Sequence, residues 1–211
     1  MTVMLGISVR SASQRRKKLL RETLTLAGLV LVLLSARSSL ADHNVVPSSS
    51  MWPTLEIGDH ILVDKRAYGL RLPFSHWYLT QASGPARGDV VVLDSPVDGT
   101  RLVKRVVAIP GDRVEVRAGR LWLNWQETET RLAPGGFEEV LDGRAHRLSL
   151  EAGGGPDCGP RTLGADRYLV LGDNRGNSAD GRTFGDVPRE RILGRVLGVF
   201  LRQGNFTWIP L

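Results

Sequence analysis

The feature that most constrains the fold of this chain is a series of short apolar segments separated by glycine- and proline-rich turns. Each segment has the length of a strand, and no soluble stretch carries the 3.6-residue periodicity of an amphipathic helix. The segments that predict strands are 61–65, 90–93, 100–109, 113–117, 120–125, 168–171 and 192–201. Closely spaced strands with few intervening helices predict an all-β fold.

A stretch of different amino-acid composition interrupts this series at residues 126–166. It has mixed charges and glycine runs such as Gly153-Gly154-Gly155, with weaker apolar patterning than its flanks. We therefore predict a small inserted β subdomain, partly irregular, with strands near 144–151. The catalytic β domain is then formed by the two flanking parts, 42–125 and 167–211.

The N-terminal region combines a charged block at 15–22 with an uncharged apolar run at 23–36. As a helix, this run of fourteen residues is only about 21 Å long, whereas the hydrocarbon core of a bilayer is about 30 Å thick. One interpretation is a cleavable secretory signal that ends at the small-x-small triplet 39–41. The interpretation that we adopt is a membrane anchor helix over 23–41, lengthened by Leu19 and Leu20 and by snorkelling basic side chains.

In both interpretations residues 1–22 form a basic cytoplasmic tail, with residues 1–14 disordered, and the chain emerges outside after about residue 40. Residues 41–45 are predicted to form a short linker to the β domain. A buried helix of a soluble domain is the remaining alternative for the apolar run.

Charge and composition narrow the possible partners and cofactors. The chain has 28 Lys and Arg against 22 Asp and Glu, and much of the excess precedes the apolar run. This placement favours an anionic membrane phospholipid surface as a partner, and we expect no nucleic acid. Cys158 is the single cysteine, so no intramolecular disulfide is possible. The histidines are scattered without ligand spacing, so we expect no metal and no cofactor.

Ser50 is the first candidate for chemistry. It ends the serine run 48–50, which lies between Pro47 and Pro53 and is followed by the apolar pair Met51-Trp52. A serine on such a stiff, partly dry segment can attack a carbonyl if a base lies nearby, and backbone N–H groups and hydroxyls can stabilise the oxyanion. The alternative is that the serine run is a solvated linker.

Lys104 is the candidate base, because none of the histidines lies in a segment of catalytic character. Alternation along the strand 100–109 places Lys104 on one face with Leu102 and Val106. A lysine among apolar neighbours loses hydration, which lowers its pKa and allows it to accept a proton. The alternative is a lysine that only snorkels to the edge of the sheet.

The polar loop 172–185 is the third candidate element. Its ionisable and hydrogen-bonding side chains include Asp173, Asn174, Arg175, Ser178, Asp180 and Arg182. Such a loop can be a braced network, in which Asp180 pairs with Arg182 or Arg175 and Ser178 orients the lysine. The alternative is an ordinary surface turn.

Together these segments resemble bacterial type I signal peptidase (leader peptidase), the membrane-bound Ser-Lys endopeptidases of family S26 that remove signal peptides from exported proteins. The resemblance spans most of residues 45–200 and rests on blocks that occur in the family's order and spacing. These blocks are PSSSMWPTL at 47–55, GDHILVDKRAYG at 58–69, RGDVVVL at 87–93, LVKRVVAIPGD at 102–112 and GDNRGNSADGRTFGDVP at 172–188.

The resemblance implies a role for each matching residue and a signal-peptidase-like antiparallel sheet domain. Ser50 is the implied nucleophile, Lys104 the general base, and Ser48 an oxyanion donor beside the Ser50 N–H. Ser178 is implied to hydrogen-bond the lysine, with Asp180 and Arg182 bracing the loop. The residues implied to line the pockets for small P1 and P3 side chains are Val46, Pro47, Met51, Leu55, Val92 and Val103.

The sequence departs from the family pattern in four respects. Ser49 stands where the family usually has glycine, and the polar loop has Gly176 and Gly181 where an acid and a hydroxyl are usual. The insertion is short and lacks the cysteine pair of some members, and one apolar segment precedes the domain where many Gram-negative members have two.

The predicted function is cleavage of signal peptides with Ala-x-Ala-type sites from exported preproteins, by a single-pass protein of the bacterial inner membrane with its catalytic domain on the outer face. One alternative is a specialised processing peptidase of the conjugation type, and another is a non-catalytic, membrane-tethered binding module. Trp52, Phe74, Trp77 and Tyr78 are expected to rest on the lipid or, alternatively, to belong to the core.

Overall fold

The structure, a computed structural model, describes residues 6–39, 41–69, 80, 83–134 and 136–211. Helix α1 (Gly6–Ser39) is followed by strands and by one short helix, α2 (Gly181–Phe184). The strands of the described residues are β1 (Ala41–Val45), β2 (His60–Asp64), β3 (Val90–Asp94), β4 (Arg101–Ala108), β5 (Arg113–Arg117), β6 (Arg120–Leu123), β7 (Gln126–Glu127), β8 (Thr130–Ala133), β9 (Gly136–Leu141), β10 (Arg144–Leu148), β11 (Cys158–Thr162), β12 (Arg167–Leu171), β13 (Val187–Pro188), β14 (Ile192–Arg202) and β15 (Asn205–Pro210). The predicted all-β fold is confirmed.

The main sheet is antiparallel throughout the described residues, with the order β1-β2-β14-β3-β4-β12-β13. The long strand β14 holds it together. One edge of β14 pairs with β2, while its other edge pairs first with β3 and then with β15. Strand β4, which carries Lys104, pairs with β3 on one side and with β12 on the other. It therefore lies inside the sheet rather than at its edge.

Two smaller antiparallel sheets adjoin the main sheet within the described residues. One has the order β11-β5-β6-β7 and the other β10-β9-β8. The stretch predicted as an insertion, 126–166, supplies β7 to β11, and β11 returns to pair with β5. The insertion is thus built onto the hairpin that follows β4.

The apolar core that supports the candidate site joins the sheet to the serine segment. Valines of β2, β3 and β14 are buried together with Met51 and Leu55 from the segment that follows Ser50. Burying each such side chain contributes about 1.5–3 kcal/mol relative to exposure. The serine segment is therefore held by its own apolar residues against the sheet.

Several predicted boundaries need correction. The predicted linker 41–45 is strand β1, which pairs with β2 in full register, and the unpredicted β15 pairs with β14. Helix α1 begins at Gly6, within the segment predicted to be disordered. Both strands are recognisable only from their partners, because neither has strong alternation of its own.

The anchor predicted over 23–41 is helical as far as Ser39. Among the described residues, however, no helix is both long enough and apolar enough to cross a membrane. The prediction of a transmembrane helix is therefore not confirmed. The physical reason is that the uncharged run is short and is bounded by Glu22 and Arg37.

We predict that Leu169→Ala lowers the free energy of unfolding by about 2–5 kcal/mol, because it leaves a cavity in a closed core. Leu169 is fully buried in β12, among the apolar residues that connect the main sheet to the β5–β6 hairpin. The matched control is Leu132→Ala in β8, where the leucine is 81% exposed and the change should stay within about 0.5 kcal/mol. Urea unfolding of both variants measures the difference, and equal losses would contradict this assignment of the core.

Candidate active site

The segment that carries Ser50 is held in place by a helical turn and by backbone hydrogen bonds. Residues Ser49–Met51 form one turn of 3₁₀ helix, and Met51 beneath it is buried. Before this turn, Val46 donates its N–H to the carbonyl of Asp59 and accepts a hydrogen bond from the N–H of Gly58. These bonds close a loop around the turn, so the Ser50 side chain projects from a rigid segment.

Lys104 lies directly against Ser50. It is buried, with 2% of its surface exposed, and its Nζ donates a hydrogen bond to Ser50 Oγ at 2.6 Å. The Ser48 hydroxyl lies on the solvent side, with its Oγ 3.3 Å from Ser50 Oγ. The structure thus brings together residues that are fifty-four positions apart in the sequence.

The environment of Lys104 favours its neutral form. Burial lowers the pKa of its amino group to about 8, while the charges of Asp180 and Asp173 raise it and that of Arg182 lowers it. With a pKa of about 8, about a tenth of the lysine is neutral at pH 7, against less than about a thousandth for an ordinary lysine. A neutral amine with a lone pair can accept the proton of the adjacent hydroxyl.

Asp180 and Arg182 brace the polar loop from within. They form a fully buried ion pair at 2.7 Å, in which both carboxylate oxygens of Asp180 accept from the guanidinium. Asp180 also caps α2 and accepts the N–H of Gly172 at 2.9 Å. Burial acts to raise the pKa of Asp180, but the hydrogen bonds and charge of Arg182 outweigh it and hold that pKa below its usual value.

Ser178 lies at the site without a hydrogen bond to Lys104. Its Oγ is shielded from solvent and has no partner of good geometry among the described residues, although it contributes to the low pKa of Asp180. A Cβ on Gly172 would clash with this hydroxyl and with the Ser50 carbonyl. The role of Ser178 in orienting the lysine stays a prediction. Gly172 was not predicted as a site residue, but the structure leaves no space for a side chain at this position.

Arg105, Asp173 and Thr54 form a second network that sequence reasoning did not identify. The Arg105 guanidinium binds both oxygens of Asp173, at 2.9 and 2.7 Å, and the Thr54 hydroxyl donates to the same carboxylate at 2.5 Å. The network joins β4, the polar loop and the segment that follows Ser50. A signal for it was present, since an arginine on an apolar strand needs a carboxylate partner when it is buried.

Asparagines of the polar loop hold the backbone of the serine segment. The N–H of Asn174 donates to the Ser50 carbonyl at 3.1 Å, and its side-chain amide donates to the Ser49 carbonyl at 3.2 Å. The Asn177 amide donates to Ser49 Oγ at 3.0 Å. Ser49, where the family usually has glycine, is thus accommodated in a helical turn and gains a partner for its hydroxyl.

The residues predicted to line a substrate pocket are largely brought together. Val46, Met51, Leu55 and Val92 are buried in one cluster, and Val103 packs against it from the position opposite Val92. Pro47, in contrast, is exposed beside Ser48. The apolar members form a buried floor below the serine segment, and their role in a substrate pocket stays a prediction.

Two further sets of sequence predictions concern a metal site and aromatic residues that contact lipid. Among the described residues, no three or more His, Cys, Asp and Glu side chains converge as a metal site would require. Trp52 is 40% exposed, whereas the other predicted lipid-contacting aromatics, Phe74, Trp77 and Tyr78, lie outside the described residues.

An antiparallel β domain in which a buried lysine lies within hydrogen-bonding distance of a serine hydroxyl can support nucleophilic catalysis. Comparison with known proteins identifies the family. The model of the family described as "Signal peptidase, peptidase S26" matches residues 17–201. The chain therefore belongs to this family and is a peptidase.

Two bacterial relatives agree with this assignment. A signal peptidase I of Pseudomonas fluorescens is 34% identical over 197 residues, which cover 82% of this chain and 69% of that protein. A probable signal peptidase I-2 of Synechocystis sp. is 33% identical over 180 residues, covering 81% of this chain and 68% of that protein. A crystal structure of a signal peptidase I from Enterococcus faecalis, with 28% identity, covers 55% of this chain and 98% of that one at a TM-score of 0.36.

We predict that the side-chain amine of Lys104 titrates near pH 8. The lysines of the chain are Lys17, Lys18, Lys65 and Lys104, so a sample labelled with ¹⁵N-lysine gives few signals, and Lys104→Met assigns the one of interest. The control is the same protein unfolded in urea, where the amine should titrate near about 10.4. A folded-state titration of Lys104 at that value would contradict the buried environment.

Proposed function

We propose that this peptidase cleaves signal peptides from exported preproteins with Ser50 as nucleophile and Lys104 as general base. The single observation that carries the proposal is the 2.6 Å hydrogen bond from Lys104 Nζ to Ser50 Oγ in a site shielded from water. The relatives described above are named signal peptidase I, which supports preproteins as the substrate.

The proposed reaction has two steps. Neutral Lys104 takes the proton of the Ser50 hydroxyl while Oγ attacks the scissile carbonyl carbon, and the tetrahedral intermediate collapses to an acyl-enzyme as the lysine protonates the departing amine. A water molecule then gives a proton to Lys104 and attacks the ester. The carboxylate end of the signal peptide leaves, and the proton returns to Ser50.

Ser48 and the Ser50 N–H are the proposed donors to the oxyanion. The Ser48 hydroxyl lies 3.3 Å from Ser50 Oγ, so a rotation about its Cα–Cβ bond directs it to an oxygen bound beside that atom. Donors placed where the charge develops typically contribute about 10²–10³ to kcat. Ser178 is proposed to orient the lysine, since the Ser178 hydroxyl is buried beside Asp180 and can form a hydrogen bond with the amine.

Small side chains at P1 and P3 are part of the same proposal. The floor beneath the serine segment is already filled by the buried Val46, Met51, Leu55 and Val92, with Val103 at its margin. An apolar surface that is closed at this depth favours alanine-sized substrate side chains and excludes larger ones. Pro47 is proposed to form the exposed rim of this region.

Membrane phospholipid is the proposed second partner, and the outer face of the bacterial inner membrane the proposed location. Helix α1 carries basic residues at 15–18, and its leucines from Leu19 to Leu29 are more than half exposed. Exposed apolar side chains beside basic ones are typical of contact with an anionic lipid surface. The exposed indole of Trp52 places a further amphipathic side chain close to Ser50.

We predict that Ser50→Ala and Lys104→Met each lower the rate of preprotein cleavage at least about 10³-fold, because each removes a group that forms or breaks bonds. Purified variants are compared with the wild type on one preprotein, with circular dichroism to verify the fold. The matched control is Lys65→Met, at a lysine that pairs with Asp42 away from Ser50, and its activity should be unchanged. Cleavage that survives in Ser50→Ala would overturn the assignment of Ser50 as the nucleophile.

We also predict that kcat/KM rises with pH and levels off above about pH 8, following the pKa of Lys104. The sign follows from the need for a neutral amine: protonation below the pKa occupies the lone pair, and raising the pH frees it. The measurement is kcat/KM for one peptide substrate between about pH 6 and 10. A profile that is flat or falling over this range would contradict a lysine base.

A further inference from the structure

The insertion at 126–166 contacts the polar loop through two buried arginines. Arg175 donates from Nη2 to Glu139 Oε2 in β9 at 2.6 Å, and Arg182 donates from Nη1 to the carbonyl of Gly154 at 2.5 Å. Neither Glu139 nor Gly154 has a hydrogen bond to Ser50 or Lys104 in the described part of the chain. These contacts therefore act on the loop rather than on the reacting atoms.

Glu139 is a fully buried carboxylate whose oxygens are satisfied by the groups around it. Besides Arg175, the Thr128 hydroxyl donates to Oε1 at 3.0 Å, and His146 Nε2 lies 3.3 Å from Oε2. Burial acts to raise the pKa of Glu139, but the charges and hydrogen bonds of Arg175 and His146 outweigh it and keep the pKa low. Because removing one partner of a buried pair leaves an uncompensated charge, Glu139 fixes the position of Arg175.

Glycines allow the insertion to approach the loop at backbone distance. A Cβ on Gly176 would clash with the carbonyls of Ala152 and Gly153, and one on Gly155 would clash with the carbonyl of Arg175. At Gly154 a Cβ would meet the backbone of residues 118 and 119. Gly176, where the family usually has an acid, thus leaves the space that the glycine run 153–155 occupies.

A chain of hydrogen bonds runs from the insertion to Asp180, whose charge acts on Lys104. Arg182 donates to the carbonyl of Arg175 at 2.7 Å and to Asp180 at 2.7 Å. Asp180 accepts the N–H of Gly172, and the charge of Asp180 acts on Lys104. Arg182 thereby links the backbone of Arg175 to the carboxylate of Asp180.

We propose that the insertion positions the active site, with Glu139 as the positioning residue: through Arg175 and Arg182 it keeps the polar loop closed over Lys104. The contact of Gly154 with Arg182 has the same role. This inference rests on the proposed function, in which Lys104 must be neutral to act. It assigns to the insertion a task in the reaction besides its part in the fold.

The expected effect of Glu139→Gln follows from what surrounds Lys104. The charges of Asp180, Arg182 and Asp173 act on its amine, and burial is the main cause of its lowered pKa. When the loop loosens, water reaches the amine, and its pKa rises toward that of an ordinary lysine. Glu139 is not among the charges that act on Lys104, so a direct electrostatic effect is small.

The experiment compares Glu139→Gln with its neighbour Glu138→Gln, whose carboxylate pairs with Arg131 at the surface. For Glu139→Gln we expect the Lys104 titration and the midpoint of the rate profile to move up by about half a unit to one unit, and kcat at pH 7 to fall about three- to ten-fold. KM should stay within about two-fold, because the substrate floor is untouched. Glu138→Gln should match the wild type in each measurement.

A purely structural role predicts a different result. It lowers the urea midpoint and the fraction of active protein but leaves the pKa of Lys104 in place, so an unmoved or lowered Lys104 titration would overturn the proposal. If Glu139→Gln does not fold, Gly154→Ala takes its place with the same expected shifts, since the added Cβ displaces the carbonyl that Arg182 binds.

The readouts separate this inference from the proposed function. If wild-type protein and Ser50→Ala show the same activity on the preprotein, the proposed function fails. The ¹⁵N-lysine titration of Lys104 needs no substrate, and its shift in Glu139→Gln still decides whether the insertion controls the environment of the lysine.

Discussion

The site depends on keeping water away from one amino group that lies within hydrogen-bonding distance of a serine. Lys104 and Arg105 are successive cations on β4, and both are buried. Burying a charge costs several kcal/mol unless it is paired or neutral, so the two cations need different solutions. The guanidinium of Arg105 donates to both carboxylate oxygens of Asp173. Lys104 Nζ instead lies 2.6 Å from Ser50 Oγ, and its pKa is lowered to about 8.

The polar loop at 172–185 serves both cations. Asp173 at its start neutralises Arg105, and Asp180 further along faces Lys104 while it binds Arg182. The same loop reaches the serine segment through Asn174, which holds the Ser50 carbonyl. This single loop therefore contacts the serine segment and supplies charges that act on both cations.

Much of the fold and of the site was predictable from the sequence, for identifiable reasons. Strong alternation or apolar runs marked β2, β3, β4, the β5–β6 hairpin and β14, because such patterns depend only on which side chains face the core. Strands β1 and β15 were missed because their residues alternate weakly and depend on pairing with β2 and β14. The N-terminal region was predicted to form a membrane anchor helix. It is helical, but among the described residues no helix is long enough and apolar enough to span a membrane.

The sequence by itself determined the all-β class, the family pattern and the residue types at 50 and 104, because these follow from local patterning and from motifs in a fixed order. Only the tertiary structure decided that Glu139 of the insertion holds Arg175 and that Arg105 pairs with Asp173. Pairings between buried charges far apart in sequence leave no local pattern. They are set by which strands become neighbours. Because buried groups are poorly hydrated, the electrostatic attraction within each pair is strong and the loss of one partner is costly.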